Sequence, residues 1–595
     1  MKRTITSALL CSTLYLMPLQ AVTPNDIKTT LEKSKKSPFK SIYKNNLYQP
    51  LWLKKGGLNN LGEELLEQIK NDKTVAPDLK FYKLYRAARK ALKQKEYSAR
   101  VDLSLTKLYF SYMHYLIRGS INWKKFDSNL ARLAKKYDST VAWERTTPPY
   151  SAKKILELAQ LNDSFQDKFN QVEPHKFKYN KLKGYLKKYI AISNNGGWKT
   201  VSPKKSIKVG QSDPSIPLIR KRLKIVGDLN GCSASESETV YDSCMAKAVK
   251  RFKLRHGYKA SSTIGKAIRT ELRRPVSYYI KKIRLNLDRI KWSNPKENRV
   301  HIHLNIPDFR LYLYDGEQLV TTMRVVTGKR DHPTPVFSDV MTSIIVNPYW
   351  RIPQSIVRKE MLRHLIKNPK YYNRQHKYLY KGWGEGSEKV DPSTVNWKQY
   401  VGNKKHIPYH FMQDPGSRNA LGKIKFLFPN KYSVYIHDTP SKRLFFRETR
   451  AFSHGCMRIQ KPRELLKALS LYNSNINVDK MMKKLGTNKK TSLGLRRKIP
   501  IDITYFTSFV DDYGNLHFRK DIYGYDRLQL KNSTVAVPKT KNKKATKAKK
   551  IKKRAHKNDT KQKSAKGTAT KHKATVKKTA VKKKKNDYDV VEIGY

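Results

Sequence analysis

Apolar residues recur at three- and four-residue spacing through the first half of the chain and then switch to strict alternation. From about 39 to 200 the segments LNNLGEELLEQIK and SLTKLYFSYMHYLI predict amphipathic helices joined by polar, Lys-rich links. No cluster of His, Cys or acidic residues there points to chemistry, so a helical scaffold is the reading. From about 206 to 272 a compact unit of three helices follows, SIPLIRKRLKIVG, CMAKAVKRFKLRHG and STIGKAIRTEL, with Gly227 and Gly257 at the expected helix ends. Beyond about 298 the period becomes two. HIHLNI alternates, FRLYLY and LVTTMRVV flank the turn signal Asp315-Gly316, and DVMTSIIVNP and KYSVYIH also predict strands. A polar, aromatic insert at 351–417, with a helical piece SIVRKEMLRHLIK, interrupts this β-rich region to about 530. Inserts of that length inside a domain are usually functional, and a lid is the reading preferred here. The fold class is therefore α+β and multidomain.

Composition narrows the picture. A chain of 595 residues with 38% hydrophobic positions can bury several cores, which excludes wholesale disorder. After the N-terminus no apolar run is long enough to span a bilayer, which excludes a polytopic membrane protein. The net charge of +78 directs the chain towards polyanions such as wall polymers, anionic lipid or nucleic acid. The stretch 538–586 holds 22 Lys/Arg against the single acid Asp559 and is expected to be a disordered basic tail. That tail supplies about +21 of the charge, so the rest lies on the folded part. The terminal DYDVVEIGY breaks the pattern without a physical explanation.

Residues 1–21 read as a secretory signal: Lys2 and Arg3, an apolar run from Ile5 to Met17, and Ala21 at the cut. The expected location is the periplasm, with an uncleaved N-terminal anchor as the alternative. Export places the mature chain where disulfides persist. Cys232 and Cys244 share one polar segment and are spaced to close a small loop, which leaves Cys456 as an odd thiol, either a passenger or a reactive group. His301 and His303 face one side of a strand, which suits a metal weakly and ordinary alternation better.

Cys456 lies in SHGCMRIQ, between a strand and a probable helix. A thiol attacks carbonyls as its thiolate, and a neighbouring imidazole is the usual means of making one. His454 is two residues away on a turn and poorly placed; His437 ends the strand KYSVYIH and can fold back across the loop. The amides of Gly455 and Cys456 are candidates to face a developing oxyanion. A Cys–His zinc site finds no CxxC partner.

His437, a gap of 15 residues, then Ser453-His454-Gly455-Cys456-Met457-Arg458 resembles the signature of the L,D-transpeptidases in residue types, order and gap. NIPDFRLYLYDGEQLV, TPVFSD, NPYWRIP, NALGKIKFLFPNKYSVYIHDTPSKRLFF and FRKDIYGYD resemble further blocks of the large, multidomain Gram-negative type. VGDLNG and AVKRFKLRHG resemble its peptidoglycan-binding-like module, and IRLNLDRIKW the link after it. The resemblance implies a scaffold at 39–200, a peptidoglycan-binding-like domain at 206–272, and a catalytic domain at 298–530 with a capping insert at 351–417. It also implies roles. Cys456 would be the nucleophile and His437 its base; Tyr435, Gly455 and His454 would line the oxyanion pocket, and Ser453 and Arg458 would contact the donor stem. The segment with Cys232 and Cys244 departs from the pattern as an insertion, which puts glycan binding in question, and the Lys-rich tail has no counterpart.

The implied chemistry belongs to peptidoglycan biosynthesis. The thiolate attacks the diaminopimelate–D-alanine amide of a tetrapeptide stem, and the thioester passes to a second stem amine as a 3→3 cross-link. Water as acceptor would give an L,D-carboxypeptidase, and a protein amine a protein-anchoring transferase; a non-catalytic wall-binding scaffold is the other reading. Amide exchange is nearly balanced, so no cofactor, ATP or metal, is required. The tail is expected to meet anionic wall polymer, lipopolysaccharide or a membrane surface rather than a specific nucleic acid.

Overall fold

In the computed structural model, residues 21–33, 37–146, 149–231, 238–293, 299–384, 386–402 and 406–532 are described. Residues 1–20, read above as a secretory signal, Cys232 and the Lys-rich tail lie outside the described residues. The first region is helical apart from a small hairpin at 53–58. Its longest helix, Ala99–Arg118, turns Leu105, Leu108, Tyr109, Tyr112, Met113 and Leu116 to one buried stripe, the spacing of an amphipathic helix. Within that stripe the buried Asp102 carboxylate accepts the Tyr43 hydroxyl at 2.6 Å and the N–H groups of Leu51, Trp52 and Leu53 at 2.9–3.1 Å. One charge thus fastens the preceding loop to the helix.

The helices Ile216–Ile225, Ser243–Arg255 and Lys266–Leu272 enclose their own core around Leu223, Val249, Phe252 and Ile268. Cys244, at the start of the second, is disulfide-bonded. The segment likened to a link is a 16-residue helix, Val276–Lys291, and it ties the regions together. Its apolar side packs on Tyr179–Asn194 and on the hairpin Ser508–Val510/Leu516–Phe518. Its polar side is just as buried: Asp288 accepts the N–H and hydroxyl of Ser120, at 3.0 and 2.7 Å, and Lys282 and Arg289 pair with Asp526 at 2.9 and 2.8 Å.

The β-rich region contributes nine strands to one sheet: β1 His301–Asn305, β2 Arg310–Asp315, β3 Gln318–Gly328, β4 Phe337–Val346, β5 Ile424–Leu427, β6 Ile436–His437, β7 Ala451–Ser453, β8 Met457–Ile459 and β9 Thr491–Thr504. Their order is β7-β3-β8-β6-β5-β4-β9-β1-β2, and β2 pairs again with β3, so the sheet closes on itself. The turn at Asp315-Gly316 is the tight β2–β3 hairpin, with Asp315 opposite Gln318. Only Ile436–His437 of KYSVYIH pairs as strand; Ser433 before it has φ +55°, which breaks the extended run.

The sheet's apolar face packs on helices Pro462–Ser470 and Val478–Gly486, and Phe126, Leu130 and Trp143 of the scaffold enter the same core. The scaffold region therefore does not stop at its own core. Its segment after helix Trp123–Tyr137 hydrogen-bonds to Val336, beside β4, on both sides of that residue.

The insert is not a loop with one helix. It builds a four-stranded sheet from Trp350–Arg351, Lys377–Tyr380, Lys389–Val390 and His410–Gln413, over a separate core of Ile352, Leu365, Trp397 and Phe411. These strands are two to four residues long, below what a period-two pattern reveals.

Removing Asp526 by Ala would take from the buried Lys282 and Arg289 the carboxylate both pair with, leaving only the more remote field of Asp521. We expect a loss of about 3–5 kcal/mol in the cooperative unit that contains the Val276–Lys291 helix. The measurement is the urea midpoint followed by tryptophan fluorescence, and an unchanged midpoint would refute the role given to this carboxylate.

Candidate active site

Strands β5, β6 and β8 lie side by side, and their alternation sorts every residue. Ile424, Phe426, Ile436, Met457 and Ile459 are wholly buried in the core, so the intervening residues face the other way, onto a cleft of about 1180 Å³. Register completes the arrangement. His437 stands opposite Lys425 on antiparallel β5 and opposite Arg458 on parallel β8, three polar side chains in a row. One step back, Tyr435 lies beside Cys456; its carbonyl accepts the Met457 N–H at 3.0 Å. Its ring meets the His437 imidazole edge-on at 5.6 Å and carries the Lys425 ammonium 3.7 Å from its centroid. Cys456 is a free thiol on the floor of this cleft.

The turn before Cys456 is held from below. Ser453, 2% exposed, donates its hydroxyl to the Cys456 carbonyl at 2.5 Å and accepts the Gly455 N–H at 3.3 Å. Gly455 has φ +113°, which a residue with a Cβ rarely adopts. Its carbonyl accepts the Thr334 hydroxyl at 2.8 Å, and that same hydroxyl accepts the Gly328 N–H at 2.9 Å. Tyr523, from the C-terminal segment, donates to the Gly328 carbonyl at 2.7 Å and accepts the Thr334 N–H at 3.1 Å. At Gly328 a Cβ would lie 2.1 Å from the His332 carbonyl oxygen, so no side chain fits.

Two assignments change in this light. Ser453 spends its hydroxyl on the loop rather than presenting it to a ligand, because its side chain points under the turn. The Gly455 amide is likewise turned to Ser453, whereas the Cys456 amide has no protein acceptor among the described residues.

Burial governs the protonation states. It pushes the Cys456 thiol up, against the opposing pull of the Tyr435 N–H and phenol and of the Lys425 and Arg458 cations. Burial, with Arg458 and Lys425 nearby, drives the His437 imidazole down to about 3. Lys425 is pushed down to about 8 by burial, with Cys456 acting in the opposite sense. At rest the site therefore holds a neutral thiol and a neutral imidazole, not the ion pair expected from the motif. His437 Nδ1 lies 2.5 Å from the Asp438 carbonyl, an acceptor, so the ring's proton sits there and Nε2 carries the lone pair.

Residues 299–488 match the family model of the L,D-transpeptidase catalytic domain (YkuD), and residues 37–186 match that of a scaffold domain. The chain carries an L,D-transpeptidase catalytic domain. A curated Haemophilus influenzae protein named "Putative L,D-transpeptidase" is 31% identical over 246 residues, 41% of this chain and 48% of that protein. The chain thus spans about half the length of the curated relative it matches. Among solved structures, an L,D-transpeptidase from Mycobacterium smegmatis aligns over 35% of this chain and 58% of its own, with 10% identity and a TM-score of 0.17. One from Stackebrandtia nassauensis aligns over 51% and 97%, with 11% identity and a TM-score of 0.20.

Over this L,D-transpeptidase domain the insert forms a roof. Trp350, Arg351 and Trp383 line the cleft opposite the thiol. The helix running from Gln354 to Lys367 widens by one residue at Val357–Met361, and the cross-cleft contacts arise there. Glu360 reaches His454 Nε2 at 2.5 Å, and Lys359 reaches Asp138 of the scaffold at 2.8 Å. His454, which lines the cleft beside Cys456, is therefore clasped to the roof, with His332 edge-on at 4.9 Å. His301 and His303 are sheet neighbours of Tyr314 and Tyr312; His303 bonds Thr504 at 2.8 Å and is driven down to about 3 by burial.

Sequence reasoning missed Lys425, Glu360, Thr334 and Tyr523. Thr334, Lys425 and Tyr523 lie inside blocks likened to the family, but without an assigned role; Lys425 also sits at a half-buried position inside the alternating strand IKFL, where 125 Lys and Arg residues hide it.

Protonated Lys425 favours the thiolate, and this help fades as pH rises through about 8. Lys425→Met should therefore shift the pH profile of Cys456 alkylation by iodoacetamide upwards, with roughly tenfold slower reaction at pH 7. A profile identical to wild type would remove Lys425 from the electrostatics of the thiol.

Proposed function

We propose that the protein is a cysteine acyltransferase of the periplasm that exchanges amides between peptidoglycan stem peptides. The observation that carries the reading is Cys456 as a free thiol at the floor of a roofed cleft, flanked by Tyr435, His437, Lys425 and Arg458. An acyl transfer from a peptide needs a sulfur nucleophile, a base, oxyanion donors and protection from water. The cleft offers each.

In this reading the diaminopimelate–D-alanine amide of a tetrapeptide stem lies across Cys456. His437 Nε2 takes the thiol proton as sulfur attacks the carbonyl carbon. A preformed thiolate–imidazolium pair is not needed, and the pKa directions oppose one. The oxyanion falls to the Cys456 amide and the Tyr435 phenol, with Lys425 and Arg458 supplying positive charge. An imidazolium crowded by those two cations is a strong acid, so it hands its proton to the leaving nitrogen. The C–N bond breaks, D-alanine departs as an amine and a thioester remains. A second stem's amine then attacks the thioester, the S–C bond breaks, and the thiol regains a proton. The product is a 3→3 cross-link, and the roof favours an amine over water as acceptor.

Cys456→Ala should abolish 3→3 dimers formed from purified tetrapeptide stems, read by mass spectrometry, and His437→Ala should slow them by at least 10²-fold. A carbapenem should add its mass to Cys456 in the intact protein. Dimers undiminished in Cys456→Ala would sink the reading.

A further inference from the structure

A second cavity, of about 310 Å³, lies between the insert and the catalytic sheet. Four cations line it: Arg374 and Lys377 from the insert, Arg418 just after it, and Arg458 from β8. Arg374 and Arg418 are exposed, whereas Lys377 and Arg458 are half-buried. No carboxylate lines the cavity, and none of the four makes an ion pair among the described residues. The Lys377 ammonium donates to the amide oxygen of Gln375 at 2.7 Å, and the Arg458 Nε is buried with no partner.

A chain with this much positive charge has many solvated cations, so clustering alone means little. What stands out is the Arg458 Nε, buried without a partner beside a cavity lined by three further cations. Several buried cations of this fold have an acid: Lys282 and Arg289 share Asp526, Arg255 has Asp228, Arg220 has Asp242 and Arg519 has Asp308, while Arg222 rests instead on the Leu272 carbonyl, the Tyr279 hydroxyl and the Trp198 face. Here four like charges, two of them half-buried, converge on one concave site, and an anion seated there would offset their mutual repulsion. Thr439 and Ser441, just past His437, add hydroxyls to the same wall.

Arg458 belongs to both cavities. It follows Cys456 by two residues on one strand face, about 7 Å along the sheet. We propose that this pocket binds a carboxylate of the acyl acceptor, a diamino diacid whose attacking amine and carboxylate sit on the same carbon. The inference rests on the transfer reading above for the identity of that acceptor, but the anion site itself does not. Amine and carboxylate would then bridge from the thioester to the Arg458 guanidinium, with a contact of about 3 Å at each end, so the pocket aims the amine at the thioester.

The test uses the full chain and the double variant Arg374→Gln/Arg418→Gln, which leaves the reacting groups in place. In the Cys456→Ala background, calorimetric titration with meso-diaminopimelate should show saturable binding. Cadaverine, the same diamine without carboxylates, should show none, and the double variant should weaken diaminopimelate about tenfold or more. In the active protein, the variant should form the thioester with donor tetrapeptide at the wild-type rate, read by intact mass. The diaminopimelate concentration for half-maximal transfer should rise by a similar factor. Absent binding, equal binding of the two diamines, or binding unmoved by the variant would each overturn the proposal. So would a thioester step slowed as much as transfer, which assigns the pocket to the donor. A wild-type protein that forms no thioester yet binds diaminopimelate through its carboxylates would fell the enzymatic reading and leave the anion site standing.

Discussion

Strand β6 is two residues long, and the chemistry of the cleft depends on how it pairs. Its parallel match to β8 sets His437 against Arg458 and Tyr435 beside Cys456, and its antiparallel match to β5 adds Lys425. Because side chains alternate with period two, a slip of one residue would turn this polar row into the core and expose Ile436. So short a strand cannot fix its own register. The core does, through wholly buried Ile436, Met457 and Phe426, and the knot of Gly328, Thr334 and Tyr523 fixes the turn that delivers Cys456. The sulfur is therefore placed by residues far from it in sequence, including a tyrosine from the last described segment.

That placement carries an electrostatic cost which also explains the site's behaviour. Lys425 and Arg458 stand desolvated beside a thiol and an imidazole, and both cations are lowered by burial. The cheapest resting state keeps sulfur and imidazole neutral, since an imidazolium there would face two positive neighbours. The same cations become favourable once negative charge develops on sulfur or on a carbonyl oxygen. The cleft thus stabilises an anion that does not exist before substrate arrives, and this is the differential stabilisation that a transfer reaction needs. In the proposed reaction, positive charge spread over the folded surface would raise the encounter rate of an acidic substrate without contributing to that difference.

How much of this was legible depended on whether a residue's role is local. The helices around Leu105–Leu116 and 243–255 announced themselves through periodicity, and the β2–β3 hairpin through Asp315-Gly316, because each rule acts within a few residues. Cys456 and His437 were legible as a motif whose spacing matches a loop between neighbouring strands. The insert's sheet was not, since its strands are too short to show alternation. Lys425 was hidden among the other basic residues, and its meaning comes only from register. Ser453 was read as a donor contact and His454 as part of the oxyanion pocket because the motif joins them to Cys456; the turn sets the Ser453 hydroxyl on the loop's own backbone and His454 against Glu360.

The roof joins regions that the sequence presents as separate units. Asp138 of the scaffold, Lys359 and Glu360 of the insert, and His454 of the cysteine loop meet along one widened helical turn. A turn of that kind leaves backbone groups poorly paired and is easily rearranged, so it suits a place where a cover must sit on two partners of different shape. The Asp138–Lys359 pair is solvent-exposed on the acid's side and contributes little to stability by itself. Its consequence is geometric: with the scaffold holding one end of the turn and the cysteine loop the other, the insert's position reports on both. Asp138, Ser139 and Thr140 of the scaffold also line the cleft, so the helical region supplies part of its wall as well as an anchor for the insert.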